Sequence, residues 1–235
     1  MNDAILVEQL FQHLVTGNRE GARRLVNPLY QRSDLAAEDV TQRLFWPALE
    51  MVNTLFRADQ LTTLAHNYAI RLLRCLIDQA QCMYDRQPST GKKVLLFCGT
   101  SEADELAGQL TADYIEASGY EVFFGGGGIA GDEILGEVGE QRPDILLMFA
   151  SAPGDAPNIR MLIDSIREVG ACPDMQIVVG GGVFNRAEGL AEEIGADLWA
   201  RDPQELREKL DGEAARRANP DQRTVGKTRR TRSAA

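Results

Sequence analysis

Apolar positions recur at intervals of three and four through the first third of the chain. Leu6, Leu10 and Leu14 make one stripe, and Ala22, Leu25, Val26 and Leu29 a second, with a break at Gly17-Asn18. This spacing marks amphipathic helices separated by a turn. A third stripe, Leu49, Val52, Leu55 and Phe56, follows Pro47, which belongs in the first turn of a helix where a missing donor costs little. A fourth carries Leu61, Leu64, Tyr68, Leu72, Leu73, Leu76 and Ile77. Four helices with short joints predict a bundle over 1–86. Arg86-Gln87-Pro88-Ser89-Thr90-Gly91 then reads as a linker, placed at 87–91.

After the linker the texture changes to short apolar runs alternating with helical stretches. Strands are predicted at 94–98, 121–124, 145–149, 176–179 and 198–200, with helices near 103–118, 132–141, 158–169, 186–194 and 203–217. Five βα units of this length predict an α/β domain over 92–212, a doubly wound parallel sheet of flavodoxin or Rossmann-like strand order. Residues 213–235 lack apolar periodicity and read as a basic disordered tail.

Composition narrows the classes. The chain has 235 residues, 44% hydrophobic and 6% aromatic, with a net charge of −10. From Gly212 onward seven Lys/Arg face only Glu213 and Asp221, a net of +5, so the preceding 211 residues carry −15. An acidic body disfavours nucleic acid as its ligand and leaves the tail as a weak electrostatic contact for a polyanion. No apolar run reaches the length of a membrane span, and Met1-Asn2-Asp3-Ala4 lacks a secretion-signal pattern, so a cytoplasmic protein without a membrane partner is expected. Cys75, Cys82, Cys98 and Cys172 show no CxxC spacing and are expected to be buried free thiols. No P-loop lysine motif occurs, and Gly99-Thr100-Ser101 after the first strand is not a dinucleotide-binding fingerprint.

The most informative run is Gly180-Gly181-Gly182-Val183-Phe184-Asn185-Arg186, directly after the fourth strand. Glycines at the carboxyl end of a strand bring bare backbone close to something, either a ligand beyond the sheet or a tightly packed helix. Taken with Leu44-Phe45-Trp46-Pro47-Ala48-Leu49, Arg142-Pro143-Asp144 and Gly195-Ala196-Asp197, it gives an order and spacing that resembles the cobalamin-binding modules of corrinoid methyltransferases and B12-dependent light-sensing regulators. The resemblance covers about residues 40 to 210. It implies that the cofactor's nucleotide tail threads beside glycine-rich edges, which here match Gly125 and Gly126, Ser151, and Gly180, Gly181 and Gly182.

Two departures qualify what the resemblance implies. Such domains carry Asp-x-His-x-x-Gly after the first strand, the histidine lying below cobalt. Here Glu102 takes the aspartate position and Asp104 the histidine position. A carboxylate is a poor lower ligand for a cobalt(III) corrin, and the cluster Glu102, Asp104, Glu105 also reads simply as a helix start. The cap's Trp-x9-Glu-His pattern becomes Phe56 followed by His66-Asn67, an aromatic plate with the imidazole one position early, about 100° round the helix. His66 is the candidate axial ligand to a tetrapyrrole metal, with a partly buried structural histidine as the alternative. His13 is expected at the surface.

These readings predict a non-catalytic sensory or regulatory module that binds cobalamin or a related tetrapyrrole, haem or a bilin being less favoured substitutes, and that passes its signal to a protein partner. No catalytic residue is assigned. The alternatives are a corrinoid methyl carrier serving a partner methyltransferase, and a cofactor-free protein-interaction module on the same fold.

Overall fold

The computed structural model describes residues 3–32, 34–219, 222 and 223. The helical part comprises α1 (Asp3–Val15), α2 (Arg19–Tyr30), α3 (Ala37–Val40), a π-helical turn (Thr41–Phe45), α4 (Trp46–Arg57) and α5 (Thr63–Gln81). Asn18 and Thr62 cap α2 and α5 through their side chains, satisfying amides that the first helical turn leaves unpaired. Pro47 stands in the first turn of α4 as expected, but that turn is no free helix start, because α3, the π turn and α4 run on as one rod. Its ring would collide with the carbonyl four residues back in a regular α-helix. The wider turn relieves this, and the Trp46 amide donates to Thr41 O, five residues back.

The second part alternates β1 (Lys93–Cys98), α6 (Glu102–Ala117), β2 (Glu121–Gly127), α7 (Gly131–Gln141), β3 (Ile145–Phe149), α8 (Asp155–Val169), β4 (Gln176–Gly180), α9 (Gly182–Arg186), α10 (Leu190–Ile194), β5 (Leu198–Ala200) and α11 (Pro203–Gly212). The strands form one parallel sheet in the order β2-β1-β3-β4-β5. That is the doubly wound arrangement, with its switch point between β1 and β3. The single helix expected at 186–194 is two short ones, split where Gly189 takes φ 79°.

β2 also runs further than its apolar residues suggest. Gly125 is skipped in the register between β1 and β2, a bulge at which a Cβ would lie 2.5 Å from the Phe97 ring. A Cβ on Gly127 would collide with the backbone of Gly99. The glycine run is therefore a strand pressed against β1 rather than a loose turn.

Arg142-Pro143-Asp144 and Gly195-Ala196-Asp197 perform one structural job at the amino ends of the strands. Asp144 Oδ2 accepts from the Lys93 amide at 2.8 Å, while its own amide donates to Lys93 O at 3.0 Å. Asp197, 5% exposed, accepts from the Ile177 amide at 2.7 Å and from Arg167 at 3.1 Å. Each aspartate clasps the start of a neighbouring strand. Asp197 also accepts from the Ala218 amide at 2.7 Å, and Arg223 makes a two-pronged pair with Asp164. The described part of the basic segment thus lies against the acidic body; residues 220, 221 and 224–235 fall outside the described set.

The bundle and the sheet share a core. Leu10, Leu14, Phe45, Leu49, Leu73 and Ile77 of the bundle pack in one cluster with Leu106, Ala107 and Leu110 of α6 and with Phe149 at the end of β3. Trp46 meets Phe149 edge to face at 6.2 Å between ring centres. Polar bonds stitch the rim: Arg74 to Gln109 at 2.7 Å, Gln109 to Asp78 at 2.7 Å and Gln81 to Asp113 at 3.2 Å. Gln87 and Thr90 of the linker donate their amides to Ala117 O and Gly119 O. His13 is half-buried rather than on the surface, its ring filling the place of a Cβ on Gly21. None of the four free cysteines is fully buried, and Cys82 is exposed. No helix among the described residues is long and apolar enough to cross a membrane.

Phe149→Ala should lower the unfolding free energy by about 3–5 kcal/mol, the cost of emptying an aromatic site in a core; a loss under about 1 kcal/mol in denaturant unfolding would contradict a shared core. Burial beside α5 pushes the Asp113 carboxyl up to about 6. The folded state then holds a proton that the unfolded chain has released, so stability should fall as pH rises from about 4 to about 6. Asp113→Asn should flatten that slope, and an unchanged slope would place the titration elsewhere.

Candidate functional site between the cap and the strand ends

Two groups of residues meet where the cap overhangs the carboxyl ends of the strands. The first is aromatic. Phe56, near the end of α4, stacks on His66 in the first turns of α5, with ring centres 4.0 Å apart and planes 23° from parallel. His66 is 8% exposed. Burial holds its pKa below the ordinary value, against smaller opposing effects of Asn67 and Glu102. A neutral imidazole with an available lone pair is the form that ligates a metal. Glu102 is half-exposed and lies 3.8 Å from Arg71, a pair too solvated to fix anything firmly.

The second group is polar and lies in the loops after β1, β3 and β4. Ser101 caps α6, accepting the Asp104 amide at 3.0 Å, and its hydroxyl donates to Asp104 Oδ2 at 2.8 Å. Asp104 is 3% exposed. Burial raises its pKa, offset in part by the Ser151 and Ser101 hydroxyls. A Cβ on Gly99 would sit 2.6 Å from Asp104 Oδ2 and 3.1 Å from Asp155 Oδ2, so that glycine makes room for two inward carboxylates. Asp104 Oδ2 is thus engaged at the helix start, while Oδ1 is buried without a hydrogen-bond partner among the described residues. Arg186 donates to Ser151 O at 2.6 Å, and Asn185 donates to Arg201 O at 3.1 Å. These two side chains of the glycine motif tie together the loops after β3, β4 and β5. Glu50 and Arg57 of the cap supply charges to the same region: Arg57 depresses the pKa of Arg186 after burial does, and both arginines oppose the burial that raises Glu50.

The glycine edge is covered from within. A Cβ on Gly181, which adopts φ 100°, would lie 2.3 Å from Ala150 O, and one on Gly182 would lie 2.6 Å from the Arg186 guanidinium. A Cβ on Gly180 would touch the Phe149 ring at 3.7 Å. Gly126 faces open space, at the sheet edge away from the cap. On the opposite face of the sheet, a cleft of about 170 Å³ opens at the β1/β3 switch point, lined by Phe97, Thr100, Ile129, Met148, Asp155 and Ile159 among others.

The structure therefore brings Glu102 near the Phe56–His66 plate and Asp104 near Ser151 and Gly182, and leaves Gly125 and Gly126 apart from both groups. Glu50, Arg57, Asp155 and Arg186 take part without a sequence signal that singles them out; only Arg186 lies within a recognised motif. Cys98, at the end of β1, has its thiol pushed up to about 12 by burial and is no thiolate nucleophile. Among the described residues no three His, Cys, Asp or Glu side chains converge to hold a metal ion. For a tetrapyrrole, the plate fits, offering an aromatic face and one neutral imidazole. Along the glycine edge the Cβ directions of Gly181 and Gly182 are filled by Ala150 and Arg186, while Gly180 meets only ordinary contacts from Ala200 and Phe149.

Residues 6–65 match the family model of the B12 binding domain. No curated protein sequence matches the chain. The monomethylamine corrinoid protein of Methanosarcina barkeri superposes with a TM-score of 0.68 at 15% identity, over 90% of this chain and 100% of that one. A cobalamin-binding protein from Desulfitobacterium hafniense gives 0.47 at 17% identity, over 88% and 97%. The methanol:cobalamin methyltransferase complex of the same Methanosarcina gives 0.49 at 13% identity, over 92% and 82%. The first of these shows a shared fold and the other two are too loose to add to it. The helical part of this chain thus contains the segment that matches the B12 binding domain model, and the chain shares the fold of that corrinoid protein.

Proposed function

We propose that the protein binds a corrinoid beneath the helical cap and acts as a non-catalytic regulatory module whose output passes to another protein. The observation that carries this is the Phe56–His66 stack, which straddles the end of the segment matching the B12 binding domain. A bound corrinoid supplies a cobalt ion with exchangeable axial positions. The chain's part is to cover one face of the ring with an apolar plate and to keep a neutral imidazole beside it. On the sheet side, the carboxylate in the usual histidine position is locked to Ser101. A carboxylate has no nitrogen to offer cobalt, and this argues against the methyl-carrier reading. The lower position is left to water or to the cofactor's own benzimidazole.

The expectation is tested by mixing purified protein with methylcobalamin, haem and biliverdin and following co-elution and absorbance. Methylcobalamin should co-elute without a spectrum of protein-histidine ligation below cobalt, and His66→Ala should weaken its binding. Exclusive capture of haem or biliverdin, or of nothing, would reject the corrinoid reading. The imidazole's protonation is open to a separate test. Because burial lowers its pKa from 6.5, the unfolded chain takes up a proton before the folded one does. Stability should fall as pH drops below about 6.5. His66→Gln should remove part of that fall in denaturant unfolding, whereas parallel curves for the two proteins would show the ring to be freely protonated.

A further inference from the structure

The slot between the sheet and helices α6 and α11 is closed by the chain's own aromatic residues. Leu147 and Gly180 form its sheet wall, Thr111 and Leu206 its helix wall, and Trp46 of the cap lies across it. The free volume left there is about 10 Å³, no more than a single water requires. A cavity of about 150 Å³ is what takes up one benzene ring, and a benzimidazole nucleotide is larger. Phe149 is 6% exposed and Trp46 is 7% exposed, both in the cap's core cluster. The closure is thus part of the hydrophobic core and not a side chain resting in a groove. Gly180 is the register neighbour of Phe149 in the sheet, and a Cβ there would make ordinary contact with its ring at 3.7 Å and with Ala200 O at 3.5 Å.

From this we infer that Trp46 and Phe149 set the chain's corrinoid specificity by excluding the nucleotide tail, so that recognition rests on the corrin ring and not on the tail. The inference rests on the corrinoid-binding reading above and adds which part of the cofactor is read. Two independent features point the same way. With the slot filled, the tail has no channel into the α/β domain. With a carboxylate and no imidazole in the loop after β1, no nitrogen base there displaces the benzimidazole from cobalt. Cobalamin is therefore bound with its own base still on the metal, and a corrinoid lacking the nucleotide binds as well.

The test compares methylcobalamin with methylcobinamide, which lacks the nucleotide, by absorbance titration of the full chain at neutral pH. Affinities within about threefold of each other are expected. Bound methylcobalamin should keep its red, base-on spectrum. Phe149→Val, which opens space over Gly180 while keeping an apolar side chain, should shift the preference toward methylcobalamin, and its circular dichroism shows whether the variant is folded. Preference of the unaltered protein for methylcobalamin by about a hundredfold or more, or conversion to the yellow base-off form on binding, would overturn the inference while leaving corrinoid binding intact. Failure of both corrinoids to bind would reject the underlying reading and the inference with it.

Discussion

Phe149 is where the two halves of this protein become one. It ends β3 among strand residues that pack on the helices of their own domain, yet its ring belongs to the core of the helical cap and meets Trp46 edge to face. The apolar face of α6 extends the same contact, with Leu106, Ala107 and Leu110 buried against the bundle. Apolar surface shared in this way is removed from water only while cap and sheet stay together. The cap is therefore held by the fold itself, without a ligand to bridge it. Its position over the strand ends brings Phe56, His66, Glu50 and Arg57 to the loops that follow β1, β3 and β4.

Much of what makes the sequence resemble a known family turns out to hold the scaffold. Asp144 and Asp197 work at the amino ends of the strands, opposite the end where a ligand would sit, and each replaces a missing ladder partner for an adjacent strand. The triple glycine is similar. Its middle residue takes a positive φ and passes the Ala150 backbone too closely for any Cβ. Asn185 and Arg186, just beyond, bind the neighbouring loops. A motif at the carboxyl edge of a sheet can thus be maintained by packing alone, and substituting Gly181 reports on folding before it reports on any ligand.

The helical periodicity and the five apolar runs made the architecture legible, because each element buries a face of the proper period. The boundaries that escaped have local causes. The rod from α3 into α4 is invisible behind Pro47, whose constraint is absorbed by a π turn. The glycines of β2 hide a bulged strand end. At the candidate site, the lack of a histidine in the loop after β1 is plain from the sequence, and Phe56 and His66, ten positions apart, do stack in the fold. The closure of the slot could not, since Trp46 and Phe149 are 103 positions apart in sequence and are joined only by the docking of the cap. The inward turn of Asp104 was half legible: Ser101 stands three residues before it, as a helix cap requires.

A bound corrinoid should lie under a cap that remains anchored by Trp46 and Phe149, with its nucleotide tail outside the slot beside Gly180. The most direct measurement is a crystal structure of the full chain soaked with methylcobalamin. Electron density for the corrin ring beside Phe56 and His66, with both aromatic rings still in contact and the benzimidazole on cobalt, is the expected result. A benzimidazole lying over Gly180, between the sheet and α6, with Trp46 displaced, would contradict it.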